Sequence, residues 1–373
     1  MLSDLSPLDL FLELAAIPSP PGEERAVADR VHEFLRELGL DADEDAAGAA
    51  IGSQIGNVYC RLDATAAGRP IFLNAHLDTV PATDAIEPVV EEGIVTNARD
   101  TILGADNKAA VVAMLCAVRD LVRGGRPHAG IELVLTPMEE VGLLGAKQFD
   151  TGRLAAEFGY CYDHAAPIGN IVLAAPTQQT LRLTFRGRAA HSGIAPEEGR
   201  SAILAAARAI AEMPFGRIDA ETTSNVGLIE GGVARNIVAP ECVAWAEVRS
   251  RDPQRLERIC AAMVDAANRA AEATGCEVEI QLTGEYRGYR LSPGSRPVAL
   301  ACKALEAAGA EVAFIESGGG ADANIFNAAG VTCVNLCNGM AQIHTADEHI
   351  AVDDLDRMTR VTARLIDLCR EAP

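Results

Sequence analysis

The chain changes rhythm twice, and that constrains its fold more than any single motif. Up to residue 177, short apolar runs alternate with amphipathic stretches; from 290 the same alternation resumes. Alternating strands and helices require a sheet covered by helices, the α/β arrangement. Between 178 and 289 the order is instead strand, helix, two strands, helix, strand. That βαββαβ order is the split unit of a ferredoxin-like domain. One α/β body built from 1–177 and 290–373 is therefore expected, with residues 178–289 inserted into it as a domain of another kind.

Local signals place the elements. "NVYCRL", "PIFLNAHLD", "GIELVLTP" and "GYCYD" read as strands, and "ADNKAAVVAMLCAVRDLVRGG" as a helix closed by Gly124 and Gly125. In the insertion, Asp252 sits as an N-cap, Pro253 in the first turn and Gly275 at the stop of a long helix.

Composition removes several functional classes. The net charge of -21 disfavours a phosphate-binding surface for nucleic acid and docking on anionic membranes. The longest apolar run, "AAVVAMLCAV", is too short to cross a bilayer, and the acidic start does not read as a signal peptide. Ten cysteines show no framework spacing and no paired C-x-x-C, so reduced, mostly buried thiols in a cytoplasmic protein are expected.

The apolar run "IELVL" ends in "TPMEE", with Glu139 and Glu140 adjacent. Two carboxylates about 4 Å apart at an effective dielectric near 20 repel by about 4 kcal/mol. A solvated helix start tolerates that, and so does a site that holds cations. Other residues bear on the choice. His76 and Asp78 in "NAHLDTVP" share one face of a strand, either as a packed pair or as a metal ligand with its supporting acid. Asp106 in "LGADNKAA" stands at a helix start, where it serves as N-cap or as ligand. Asp163 ends "GYCYD", a turn position that is also the ligand-bearing edge of an α/β sheet. "QIHTADEHI" adds His344 and His349. Imidazoles and carboxylates without thiolates suit zinc, manganese or cobalt, and there are more carboxylates than one ion needs.

Together "HLDTVP", "GADNKA", "EEVGLLGAK", "YDH", "GRAAHSGIAPEEGRSAI", "GGVARNIV", "SGGGADANIF" and "IHTADEHI" resemble the dinuclear zinc exopeptidases related to peptidase T, carboxypeptidase G and the aminoacylases, most of all the peptidase T-like members. The resemblance implies a zinc-exopeptidase-like catalytic domain with a central mixed sheet, and a ferredoxin-like lid that also dimerises. It implies two divalent metal ions, with zinc first and cobalt or manganese as alternatives. His76, Asp106 and Asp163 would hold one ion; Asp106 would bridge to the other, held by Glu140 and His344. Asp78 would steady His76, and Glu139 would be the general base. The bond between Asp106 and Asn107 is expected to be cis. On the lid, His191 would reach a partner subunit's site in a homodimer, while Asn236 and Arg249 would grip a substrate carboxylate. Gly318 and Gly319 would let backbone approach the substrate. Two departures from the pattern are His164 directly after Asp163, where relatives carry a small residue, and the loop "ARDTILGAD".

The expected activity is hydrolysis of short peptides by an aminopeptidase or tripeptidase, with a water activated by two metals. A deacylase of N-acyl or N-carbamoyl amino acids is the alternative. A metal-binding homologue without catalysis is disfavoured because Glu139 is present with every ligand.

Overall fold

Four apolar segments lie side by side and parallel, in the order Ile131–Thr136, Ile71–His76, Phe158–Cys161, Thr332–Leu336. Every residue of the first two is buried, as strands covered on both faces must be. Register sets His76 opposite Thr136 and Asn74 opposite Cys161, so the carboxyl ends of three strands finish at one level. Antiparallel neighbours extend the row: Val58–Leu62 and Ala42–Glu44 on one side, Asn170–Ala175 on the other. The result is a mixed sheet of nine strands. The helix Ala105–Arg123 packs on strand Ile71–His76 and on the helix Val352–Glu371. It is buried almost all round, because it lies between sheet and helix.

The computed structural model describes residues 1–371; residues 372 and 373 of the expected third stretch lie outside them. The chain divides into two units. The first contains Met1–Leu173, Arg290–Glu316 and the chain from Ala321 on; the second contains Ala174–Tyr289 and Ser317–Gly320. The α/β class expected from the alternating pattern is the one observed.

In the second unit, strands run in the order Gly216–Arg217, Thr222–Gly231, Glu241–Ser250, Thr177–Arg186, Glu277–Tyr286, all antiparallel. Apart from the two-residue strand at 216, this is the ferredoxin-like arrangement. Strand Glu241–Ser250 alternates strictly: Cys242, Ala244, Ala246 and Val248 are buried in the second unit's own core with helices Ala202–Glu212 and Pro253–Thr274. Asp252 caps the latter helix through the N–H groups of Gln254 and Arg255, and Gly275 closes it in the left-handed region.

Sequence pattern does not announce a small sheet of Pro88–Glu91, Ile94–Asn97 and Ile350–Ala351, whose strands are too short to show a period. Among the described residues no helix is long and apolar enough to cross a membrane.

Candidate metal centre

The parallel strands deliver the acids to one edge. Pro137 cannot continue the ladder after Thr136, and Met138 turns the chain with φ of 55°. Three carboxylate contacts hold this turn. Glu24 accepts the N–H of Met138 at 3.2 Å, and the two oxygens of Asp78 accept those of Glu139 and Glu140 at 2.9 and 3.0 Å. Gly145 lets the following helix close over the turn, since a Cβ there would lie 2.4 Å from the Pro137 carbonyl oxygen. Next door, the Asn335 side chain brackets Asp163: it accepts the Asp163 N–H at 2.9 Å and donates to its carbonyl at 2.8 Å.

His76 Nδ1 lies 2.8 Å from the main-chain carbonyl of Asp78, an acceptor, so Nδ1 carries a proton. The Asp78 carboxylate is farther from that nitrogen, at 3.5 Å. Asp78 thus supports the site in two ways: its carbonyl orients the ring, and its carboxylate fixes the main chain of the two glutamates. In the neutral ring Nε2 is then a lone pair, yet it faces Asp106 Oδ1 at 3.2 Å and Asp163 Oδ1 at 3.9 Å. His344 repeats the pattern, with Nε2 at 3.0 Å from Glu140 Oε1 and 3.3 Å from Asp106 Oδ2. One oxygen of Asp106 therefore faces each imidazole.

Donor atoms of His76, Asp106 and Glu140 lie within 4.8 Å of one another, and so do those of His76, Glu139 and Asp163. Asp106, Glu139, Glu140 and Asp163 offer four negative charges against at most two on His76 and His344. Burial pushes the carboxyl groups of Glu139 and Asp163 well above their ordinary values, and the neighbouring acids add to it. Burial would also raise Asp106, but hydrogen bonds from His344 and His76 hold it low. Such a surplus of buried acid beside two imidazoles fits divalent cations.

Of the other expected residues, His191, Asn236, Arg249, Gly318 and Gly319 all belong to the second unit. His191 Nδ1 accepts the N–H of Gly193 at 3.2 Å, and the carbonyl of Asn236 accepts from Ser192 at 3.0 Å. Arg249 donates from Nε and Nη2 to Glu247, both at 3.1 Å. A Cβ on Gly318 would meet nothing within 4 Å, whereas one on Gly320 would strike the Tyr286 ring at 2.3 Å. Close packing thus explains the third glycine of the run, and open space surrounds the first. The Asp106–Asn107 bond is cis. His164 is partly buried, which lowers its imidazole below the ordinary value. His349 pairs its main chain with Ala341 and is not among the clustered donors.

Two acids beneath the site are not marked by sequence pattern. Asp322, 1% exposed, accepts from Thr136 Oγ1 and from Asn74 Nδ2, joining the strands that carry His76 and Glu139. Glu348 accepts main-chain N–H groups around Asp106.

In protein stripped of metal, hydrogen bonds that the His344 ring donates to Asp106 and Glu140 raise it to about 10. That shift stabilises the stripped fold fully below about 6.5 and is lost as pH rises through about 10. A His344 that ligates an ion must do so as the neutral ring, so loading the stripped protein at neutral pH should release protons and apparent affinity should climb with pH. Calorimetric titration with zinc in two buffers of different ionisation enthalpy measures this; heats identical in both buffers would contradict it.

A family profile described as Peptidase family M20/M25/M40 matches residues 72–368. The chain is 38% identical to the uncharacterized protein YqjE of Bacillus subtilis, over 98% of this chain and 99% of that protein. Among solved structures it resembles the aminopeptidase PepT of Bacillus cereus, with 37% identity, a TM-score of 0.87 and coverage of 97% and 98% of the two chains. A tripeptidase of Staphylococcus aureus gives 35% identity and a TM-score of 0.91, with 98% of each chain covered. With the acid-rich strand edge and this likeness along the whole chain, the protein belongs to peptidase family M20/M25/M40 and is a metallopeptidase.

Proposed function

We propose that the protein is an aminopeptidase or tripeptidase that releases the N-terminal residue of short peptides, using two divalent ions, with zinc first among them. The observation that carries this reading is the likeness, over nearly the full chain, to an aminopeptidase and a tripeptidase. One ion is assigned to His76, Asp106 and Asp163, the other to Asp106, Glu140 and His344. Manganese and cobalt suit the same donors.

Cations at these positions supply positive charge that acidifies a water and polarises the scissile carbonyl. Glu139 takes the proton of the attacking water as its oxygen bonds to the carbonyl carbon. The same carboxyl then gives that proton to the leaving amine as the C–N bond breaks. Asp78 keeps Glu139 in place through its main chain. Arg249 and Asn236 are assigned to grip the peptide's carboxylate, the planar fork of the guanidinium suiting that group, and the backbone at Gly318 and Gly319 to approach the substrate.

Product analysis by mass spectrometry tests the reading. Tripeptides, dipeptides and N-acylated amino acids are offered together to protein loaded with zinc or manganese. Release of the N-terminal residue from tripeptides is the expected result; turnover of the acylated compounds alone would make it a deacylase.

A homodimer formed through the second unit is part of the proposal, with His191 serving the partner's site. Among the described residues, strand Thr222–Gly231 is paired on its outer side only at Thr223 and Ser224, and beyond them Leu228 and Ile229 are exposed. Ile203 and Leu204 on the helix Ala202–Glu212 are exposed as well. An unpaired apolar edge of this kind invites a second copy. Sedimentation should show a dimer in wild type that Ile229→Lys weakens; a fully active monomer would end the role given to His191. Ten free cysteines, eight of them buried, support a cytoplasmic setting.

A further inference from the structure

We propose that Glu348 is a positioning residue of the metal centre, one that fixes the main chain of Asp106 and ties it to the loop carrying His344. The inference rests on the metal-centre reading above and adds to it a residue that binds no ion itself. Glu348 is 2% exposed, and both its oxygens are engaged by a segment more than two hundred residues away. Oε2 accepts the N–H groups of Leu103 and Gly104, each at 2.8 Å, and Oε1 accepts that of Asp106 at 3.0 Å.

The first N–H groups of a helix have no partner within it and need one from elsewhere. Here the residue before the helix is Gly104, with φ of 80°, which has no side chain to offer. Asp106 and Asn107 also depart from helical angles, so the helix does not itself hold the turn in shape. Glu348 does so from outside, with three charge-assisted hydrogen bonds to consecutive parts of one bend.

The placement couples two donors. Glu348 stands four residues after His344, in a loop where Gln342 and His344 both adopt positive φ, at 53° and 64°. Asp106 presents Oδ1 to His76 and Oδ2 to His344. Rotation of the Asp106 main chain would spoil both contacts together, and Glu348 is the side chain that bonds its N–H. A carboxylate is needed because both oxygens must accept; an amide would turn an NH₂ group toward a main-chain N–H.

The test is zinc titration of full-length protein stripped with chelator, for wild type, Glu348→Gln and Glu348→Asp, with thermal melts of the stripped proteins. Glu348→Gln should bind zinc about 10–100-fold more weakly, the range for residues that support ligands. Glu348→Asp, which keeps both oxygens on a shorter arm, should recover part of that loss. If Glu348→Gln does not fold, Glu348→Asp decides, with weaker binding than wild type expected. A folded variant that melts lower yet binds zinc as wild type does would show a helix cap only and overturn the proposal. Failure of wild type itself to bind zinc, manganese or cobalt would instead overturn the metal-centre reading.

Discussion

Glu139→Gln should lower peptide turnover by about 10²–10⁴-fold, the usual worth of a general acid–base group, while leaving bound metal unchanged. The carboxylate is 8% exposed and its main chain is fixed by Asp78, so the amide should occupy the same place. Burial and the charge of Asp163 raise its carboxyl above the ordinary value, which makes the carboxylate a stronger acceptor for the water proton it must take and later return. Geometry leaves one rival role open to measurement, because a Glu139 oxygen also lies within 4.8 Å of donors on His76 and Asp163. A ligand replaced by an amide loses metal; a base replaced by an amide loses turnover only. Metal content of the purified variant, read beside its rate, separates the two. A rate near wild type would remove Glu139 from the chemistry altogether.

The parts of this site legible in the sequence were those written locally. An apolar run followed by an acid marks a strand and its carboxyl end, and His76, Glu139 and Asp163 each follow such a run. Parallel pairing of those strands then brings the three together without further instruction. Capping signals were equally local, as Asp252 and Gly275 show. Support for the clustered side chains is written differently. Asp78 accepts N–H groups from residues 61 and 62 positions away, which depends on strand Ile131–Thr136 lying beside Ile71–His76. Asp322 and Glu348 reach still farther, and each looks in sequence like an ordinary polar residue near a helix or loop. No period or spacing marks a carboxylate whose partners are main-chain N–H groups of a distant segment. The pairing of Arg249 with Glu247 was hidden for another reason: residues two apart on a strand share a face, but charge alone does not say whether they meet.

Asp106→Asn should remove metal from both positions and abolish detectable turnover, a larger effect than loss of any donor to one ion. Its two oxygens face different imidazoles, at 3.2 Å from His76 and 3.3 Å from His344. An amide keeps one acceptor and points an NH₂ group at the other ring, and it removes the single charge shared by the two positions. Affinity at both should fall by more than about 100-fold, the upper range for residues that only support ligands. Misfolding is not the expected cause, because the main chain at this point is held by Glu348 and not by the side chain being changed. His344→Ala supplies the comparison: it should weaken the position shared with Glu140 and leave the one at His76 and Asp163 filled. Metal analysis after dialysis against a defined chelator distinguishes two ions, one and none. If Asp106→Asn still retained one tightly bound ion, as His344→Ala should, the two oxygens would not be acting as a bridge, and the two positions would have to be treated as independent.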